Sequence, residues 1–245
     1  MTTTQGITLQ NASVTLTGKP ILSNLSLTLS EHRIGIIGRN GSGKTTLLRL
    51  IAGLIPPTTG SVTIDGLNPT DRKAILPRLG ILFQNPDHQI LFPTVAEELG
   101  FGLRQQGQTQ AAADQAVATL LAAESRSHWA QAATHTLSQG QRHYLCLLSI
   151  LLMQPQTILL DEPFAGLDLP TQIRLARRLN ALPQRLITIT HDPAAVSQCD
   201  RVLWLDQGQI RADGPAGPTL AAFTTEMTRI GELDADTHLP SQPPS

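Results

Sequence analysis

Residues 7–16 and 21–29 alternate apolar and polar side chains, a period of two that predicts half-buried antiparallel strands. The texture then changes. Ile34-Gly-Ile-Ile-Gly38 is apolar without alternation, as a strand covered on both faces requires, and a glycine-rich turn follows it. Over residues 45–54 Leu and Ile recur at helical spacing until Gly53 and Pro56-Pro57 stop the helix. Ser61-Val-Thr-Ile-Asp-Gly66 predicts a strand and a turn, and Ile81-Leu-Phe83 another short strand. Ala, Gln and Leu dominate residues 105–133, which predicts helices in an inserted subdomain spanning about 85–155. Ser138 opens a further helix, to about Met153, and Ser138 with Gln141 has the Ser-x-x-Gln form of a capping box. Residues 157–160 and 186–190 are buried-type strands flanking a helix at about 170–181. Alternating buried strands and helices predict an α/β fold with a parallel, two-faced sheet. A helical extension is expected at 216–236, and the aperiodic residues 237–245 are expected to be disordered.

Composition narrows the class. A chain of 245 residues with 40% hydrophobic content can bury one large core, alone or with a small insert. The net charge of -1 comes without a basic stripe, which argues against nucleic acid as the main partner. Cys146 and Cys199 lie far apart without metal-ligand spacing and read as small buried apolar residues. The N-terminus shows no signal-peptide pattern, and no apolar run approaches the ~20 residues that span a bilayer. The expectation is a protein on the cytoplasmic side that meets a membrane only through a partner.

The glycine-rich turn is GRNGSGKT, residues 38–45, matching G-x-x-x-x-G-K-[ST] between a strand and a helix. Gly38, Asn40, Gly41, Ser42, Gly43, Lys44, Thr45 and Thr46 are the candidate phosphate-holding residues. Glycines let backbone N–H groups turn toward phosphate oxygens, and the helix N-terminus adds a favourable field. Lys44 would reach the β and γ phosphates and Thr45 would ligate Mg²⁺. Asp161 and Glu162 close an apolar strand. The first is assigned to Mg²⁺ and the second to deprotonating the attacking water; by themselves they would read equally well as a solvated helix-capping pair. His191 follows the strand at 186–190, facing the crevice where such sheets bind ligands, and could hold the γ-phosphate or the water. Gln84, after its own short strand, could touch Mg²⁺ or that water. Ser138 and Gly140 form a second anion site at a helix N-terminus, redundant unless it serves another molecule's nucleotide. Seen alone, they are an ordinary capped helix.

The order GRNGSGKT, Gln84, Leu-Ser138-Gln139-Gly140-Gln141, Ile-Leu-Leu-Asp161-Glu162-Pro, Phe164-Ala-Gly-Leu-Asp168 and His191 resembles the ATP-binding cassette (ABC) ATPases over about residues 5–215. The resemblance implies a P-loop NTPase fold with a RecA-like core, an antiparallel β subdomain and an α-helical subdomain. It further implies a head-to-tail homodimer or heterodimer with another ABC ATPase. Each ATP is sandwiched between one copy's phosphate loop and the other's Ser138 and Gly140, with Asp168 at the seam. Phe-Gln-Asn-Pro-Asp-His-Gln-Ile-Leu-Phe-Pro-Thr-Val-Ala-Glu-Glu-Leu, from Phe83 onward, resembles the ATPases of energy-coupling factor (ECF) importers, which take up vitamins and transition-metal ions with a substrate-binding S-component and a transmembrane T-component. There the stretch after the Gln forms a short helix, here about 87–91, beside a groove for the T-component's coupling helices. Phe83, Ile90, Leu91 and Phe92 would supply apolar groove area, and Glu97 and Glu98 would pair with basic residues of the partner. Within that family the chain looks most like the biotin-transport ATPases, with the cobalt/nickel ones next.

The sequence also departs from the ABC pattern. No Phe, Tyr or Trp precedes Phe83, so Leu16 takes the place of the usual adenine-stacking aromatic and weak base discrimination is expected. Gln139 stands where Gly is commoner, and Phe164 where Thr is. A soluble ABC protein acting on ribosomes or DNA is the alternative class, disfavoured by the single cassette and the missing basic face. A P-loop kinase gives no reason for LSQGQ.

Overall fold

The computed structural model describes residues 6–232. Its first layer is a three-stranded antiparallel sheet ordered β2-β1-β4, from Ile7–Leu16 (β1), Lys19–Leu29 (β2) and Thr59–Ile64 (β4). The second is a six-stranded sheet ordered β5-β6-β7-β3-β8-β9. Its members are Arg33–Ile37 (β3), Leu79–Leu82 (β5), Thr157–Asp161 (β6), Arg185–Thr190 (β7), Arg201–Asp206 (β8) and Gln209–Gly214 (β9). Strands β5, β6, β7, β3 and β8 run parallel; β9 closes the edge antiparallel. Strands β3, β6 and β7 are buried along nearly their whole length, β3 and β6 through apolar runs and β7 with Thr188 and Thr190 buried between its apolar residues. Helix α1 (Lys44–Ile51) lies between the two sheets, and its Leu47, Leu48, Leu50 and Ile51 join a core with Ile7, Leu9, Leu22, Ile36, Leu159 and Leu203.

Helix α2 (Arg72–Ile75) precedes β5. Helices α3 (Val95–Gln105), α4 (Gln110–Ala123) and α5 (Gln139–Leu152) sit between β5 and β6 in sequence and share a separate apolar cluster of Val95, Leu99, Val117, Leu121, Leu145 and Leu148. Helix α6 (Leu169–Asn180) links β6 to β7. The helix expected at 87–91 is instead one 3-10 turn at Pro86–His88. It goes no further because Leu91 N and Phe92 N donate to Glu98 Oε2 rather than to the turn, while the Gln89 side chain ties the turn to β5, accepting from Phe83 N at 3.1 Å and donating to Ile81 O at 3.1 Å. The β8–β9 hairpin was not anticipated from the sequence. Helix α7 (Ala216–Glu232) packs on it, with Phe223 edge-on to Trp204 at 5.5 Å. The residues expected to be disordered, 237–245, lie outside the described residues.

Candidate functional site

The parallel strands deliver their loops to one edge of the sheet, where β3 runs through Gly38–Gly43 into α1. A side chain at Gly38 would collide with the carbonyl oxygen of Leu205 and come within 2.6 Å of Ser42 Oγ. Gly41 and Gly43 hold φ of 81° and 102°, which only glycine adopts without strain. Gly43 caps α1 with no side-chain hydrogen bond, so the first-turn N–H groups have no capping side chain. Ser42 Oγ is buried and without a hydrogen-bond partner. Lys44 is 7% exposed, and its Nζ donates to Gly38 O at 2.6 Å and Arg39 O at 3.0 Å. Burial lowers its pKa, opposed by the nearby Glu162 and Asp161 carboxylates. An uncapped helix start, an orphaned hydroxyl and a buried ammonium around a glycine cradle fit a phosphate chain.

Asn40, Gly41, Gly43, Lys44, Thr45 and Thr46 border a cleft of about 450 Å³ shared with Gln84, Asp161, Glu162 and His191, whereas Gly38 and Ser42 lie behind this lining. Asp161 ends β6 and is 8% exposed; burial, then the adjacent Glu162, pushes its pKa up, against the pull of Lys44 and Arg49. Glu162 has φ of 47°, an uncommon left-handed conformation for a non-glycine residue. Its Oε2 accepts from Thr190 Oγ1 at 2.9 Å, and its Oε1 lies 2.8 Å from His191 Nδ1. An ionised carboxylate can only accept, so the ring proton belongs on Nδ1 and Nε2 is left for a ligand. Among the described residues no cluster of three His, Cys, Asp or Glu side chains could hold a metal. Thr45 and Asp161 nonetheless suit Mg²⁺, which takes few carboxylates and fills its shell with phosphate and water.

Ser138, Gly140 and Gln141 line a different cleft, of about 730 Å³, together with Asp168. The capping box is formed: Ser138 N donates to Gln141 Oε1 at 2.8 Å and Gln141 N to Ser138 Oγ at 3.3 Å. Asp168 caps α6 by accepting from Thr171 N at 3.1 Å, and hydrogen bonding to Thr171 holds its carboxyl below the usual range. A Cβ on Gly140 would approach Thr171 Cγ2 to 2.9 Å, so glycine there allows α5 to start hard against α6. Gln139 points elsewhere: its amide would lie 2.9 Å from a Cβ on Gly166, and it borders a polar cleft with Thr45, Gln84 and Asp161. Leu16 is 41% exposed at the end of β1 and borders none of these clefts. Ile21, which the sequence reading missed, lines the phosphate cleft, and its carbonyl oxygen packs beside Gly43. The phosphate loop and the start of α5 at Ser138 thus line two separate clefts.

The model of the family described as ABC transporter matches residues 22–165. The chain belongs to the ABC transporter family. A biotin transport ATP-binding protein of Rhodobacter capsulatus is 46% identical over 94% of this chain and 99% of its own length. Among solved structures, cbiO1 of Clostridium perfringens, part of the cbiONQ complex, covers 94% of this chain and 99% of its own, with a TM-score of 0.77 at 24% identity, a likeness of fold. A dimeric bacterial ABC transporter cassette, MJ0796, covers 86% and 98% with a TM-score of 0.74 at 26% identity. The chain is thus an ATP-binding subunit of an ABC transporter.

The surface where an ABC transporter subunit was expected to meet its membrane partner needs one correction. Glu98 is 6% exposed, and its Oε2 accepts from Leu91 N at 2.8 Å and Phe92 N at 3.0 Å, so it cannot pair with a partner's basic residue. Its neighbour Glu97 is exposed and accepts from Thr94 Oγ1 at 2.6 Å. Leu91 is 69% exposed, whereas Phe83 and Ile90 are partly packed against core clusters and Phe92 lies against Phe101 at 5.0 Å. Beside this segment a groove of about 1020 Å³ runs between α2, β5 and the C-terminal ends of α3 and α5, lined by Lys73, Ile81, Phe101 and Met153 among others. No helix of the described residues is long and apolar enough to cross a membrane.

Proposed function

We propose that this chain is the ATP-hydrolysing subunit of an ECF-type importer, with biotin as the cargo. The observation that carries this reading is the separation of the two half-sites: phosphate loop, Asp161, Glu162 and His191 on one cleft, Ser138, Gly140 and Asp168 on another. In a head-to-tail dimer each half faces its complement, so a lone copy hydrolyses slowly. The loop amides and Lys44 hold the phosphates, and Thr45, Gln84 and Asp161 would hold Mg²⁺, which would supply positive charge to the transferred phosphoryl group. Glu162, aligned by Thr190 and His191, takes the proton of the attacking water on a carboxylate oxygen. His191 Nε2, which accepts in that tautomer, holds the attacking water, and Gln84 orients the water beside the γ-phosphate. From the second copy, Ser138 and the N-terminal amides of its helix reach the γ-phosphate.

Dimer closure is the step that drives transport, passed to a T-component whose coupling helices dock near Leu91, Phe92 and the groove beside them. An S-component binds the cargo, and the subunit stays peripheral, on the cytoplasmic face. The 46% identity to a relative named for biotin transport supports biotin over cobalt or nickel, since the cbiO1 likeness is one of fold. Co-expression with candidate T- and S-components, followed by uptake of labelled biotin against Co²⁺ and Ni²⁺, tests the reading. Metal-ion uptake without biotin uptake would reassign the cargo, and a purified complex without ATPase activity would sink the proposal.

A further inference from the structure

The segment that carries Gln84 is tied down along its length. Asn85 caps the 3-10 turn, its side chain accepting from Asp87 N at 2.9 Å. Gln89 fastens the turn to β5, and Glu98 holds the amides of Leu91 and Phe92. One further tie leaves the segment: Asp87 Oδ1 lies 2.9 Å from Arg142 Nε on α5. Nε–H has no aligned hydrogen bond, so the pair is a charge contact, and the guanidinium's direction is set by Nη1, which donates to Leu137 O at 2.7 Å. Leu137 immediately precedes Ser138. Gln84, Asp87 and Arg142 border one cleft together with Thr45 and Asp161.

We propose that the Asp87–Arg142 ion pair is a positioning linkage, through which the state of the chain's own nucleotide cleft, met at Gln84, sets the position of Ser138 and so the fit of the second copy. This rests on the reading that Gln84 meets the chain's own nucleotide and Ser138 the partner copy's. A rigid turn moving with Gln84 displaces Asp87 with it. Arg142 then carries that displacement to the carbonyl next to Ser138, on a helix whose first turn is also packed against the Gly166 loop by Gln139. The Asp87 side chain is 61% exposed, so the pair adds little to global stability, and its role should show in coupling rather than in folding.

The test uses the full chain carrying Glu162→Gln. Asp87→Asn, Arg142→Gln, the double variant and the conservative Asp87→Glu are compared by binding of a fluorescent ATP analogue to dilute monomer, by ATP-induced dimerisation in sedimentation velocity, and by melting temperature. The expected result is monomer affinity within about twofold of the parent, with the ATP concentration for half-dimerisation raised about five- to tenfold in each single variant. The double variant should be no worse than either single one, and Asp87→Glu should match the parent. Single variants that dimerise at the parent's ATP concentration, or additive losses in the double, would overturn the linkage alone. A Glu162→Gln parent that does not dimerise with ATP, or is indifferent to Ser138→Ala, would overturn the reading beneath it and the linkage with it.

Discussion

Glu97 and Glu98 are neighbours of identical chemistry, yet the structure assigns them opposite consequences on mutation. Glu98 is buried and one of its oxygens accepts two backbone N–H bonds, from Leu91 and Phe92; Glu97 is exposed on the first turn of α3. Removing the acceptor by Glu98→Ala strands both donors. A hydrogen bond to a charged group contributes about 1.5–3 kcal/mol, and Leu91 is exposed enough for water to replace part of its share, which leaves a loss of about 2–3 kcal/mol. For a chain of this size that is a fall in melting temperature of about 4–12 °C. Glu98→Gln keeps a carbonyl acceptor without the charge and should lose about 1 kcal/mol. Glu97→Ala should cost about 0.5 kcal/mol or less. Thermal melts followed by circular dichroism, with urea titrations for the free energies, make the comparison. A Glu98→Ala protein that melts within about 1 °C of the parent but no longer captures a T-component would refute the internal role and restore Glu98 to the partner surface.

Glu162→Gln should lower ATP turnover by about 100-fold or more while leaving an ATP-bound dimer that elutes as such on gel filtration; turnover at the parent rate would remove Glu162 from the base role. Asp161→Asn should abolish turnover yet stabilise the unliganded fold. Because the Asp161 carboxyl titrates above its ordinary value, the folded state holds that proton more tightly than the unfolded chain. Its favourable contribution is thus present at acid pH and is lost as pH rises through the raised pKa, so the variant's advantage in melting temperature should be largest near neutrality and shrink toward about pH 4. Phe223→Ala, at a 4% exposed ring against Trp204, should lose about 3–5 kcal/mol in urea unfolding; a loss under about 1 kcal/mol would mean that α7 barely contributes to the fold.

Local pattern made much of this fold legible. The apolar runs at β3 and β6 and the largely β-branched Leu-Ile-Thr-Ile-Thr of β7 announced buried strands, and Ser138-x-x-Gln141 gave its capping box letter for letter. Other features were written in the sequence but not read. Val95, Glu98 and Leu99 recur at three- and four-residue spacing, which puts Glu98 on the buried face of α3. Gln207-Gly208, with φ of 47° and 76°, is a two-residue hairpin turn between the apolar run Val202–Leu205 and an alternating strand, and would have located β8 and β9. The remainder was out of reach of pattern. That Ile21 rather than Leu16 borders the phosphate cleft depends on where the small sheet lies against Gly43. That Asp87 meets Arg142 depends on how α5 returns past a turn more than fifty positions earlier in the chain.

Ile37, the residue before Gly38, shares its apolar cluster with Val202, Trp204, Ala216 and Phe223. A chain cleaved ahead of Ala216 would keep every nucleotide-binding motif and still bare the Trp204 face, beside an edge strand, β9, whose outer backbone groups are open to pairing with another chain. Such a fragment is a candidate for self-association and proteolytic clearance, so loss of the C-terminal helix should register first as missing protein and only then as missing activity.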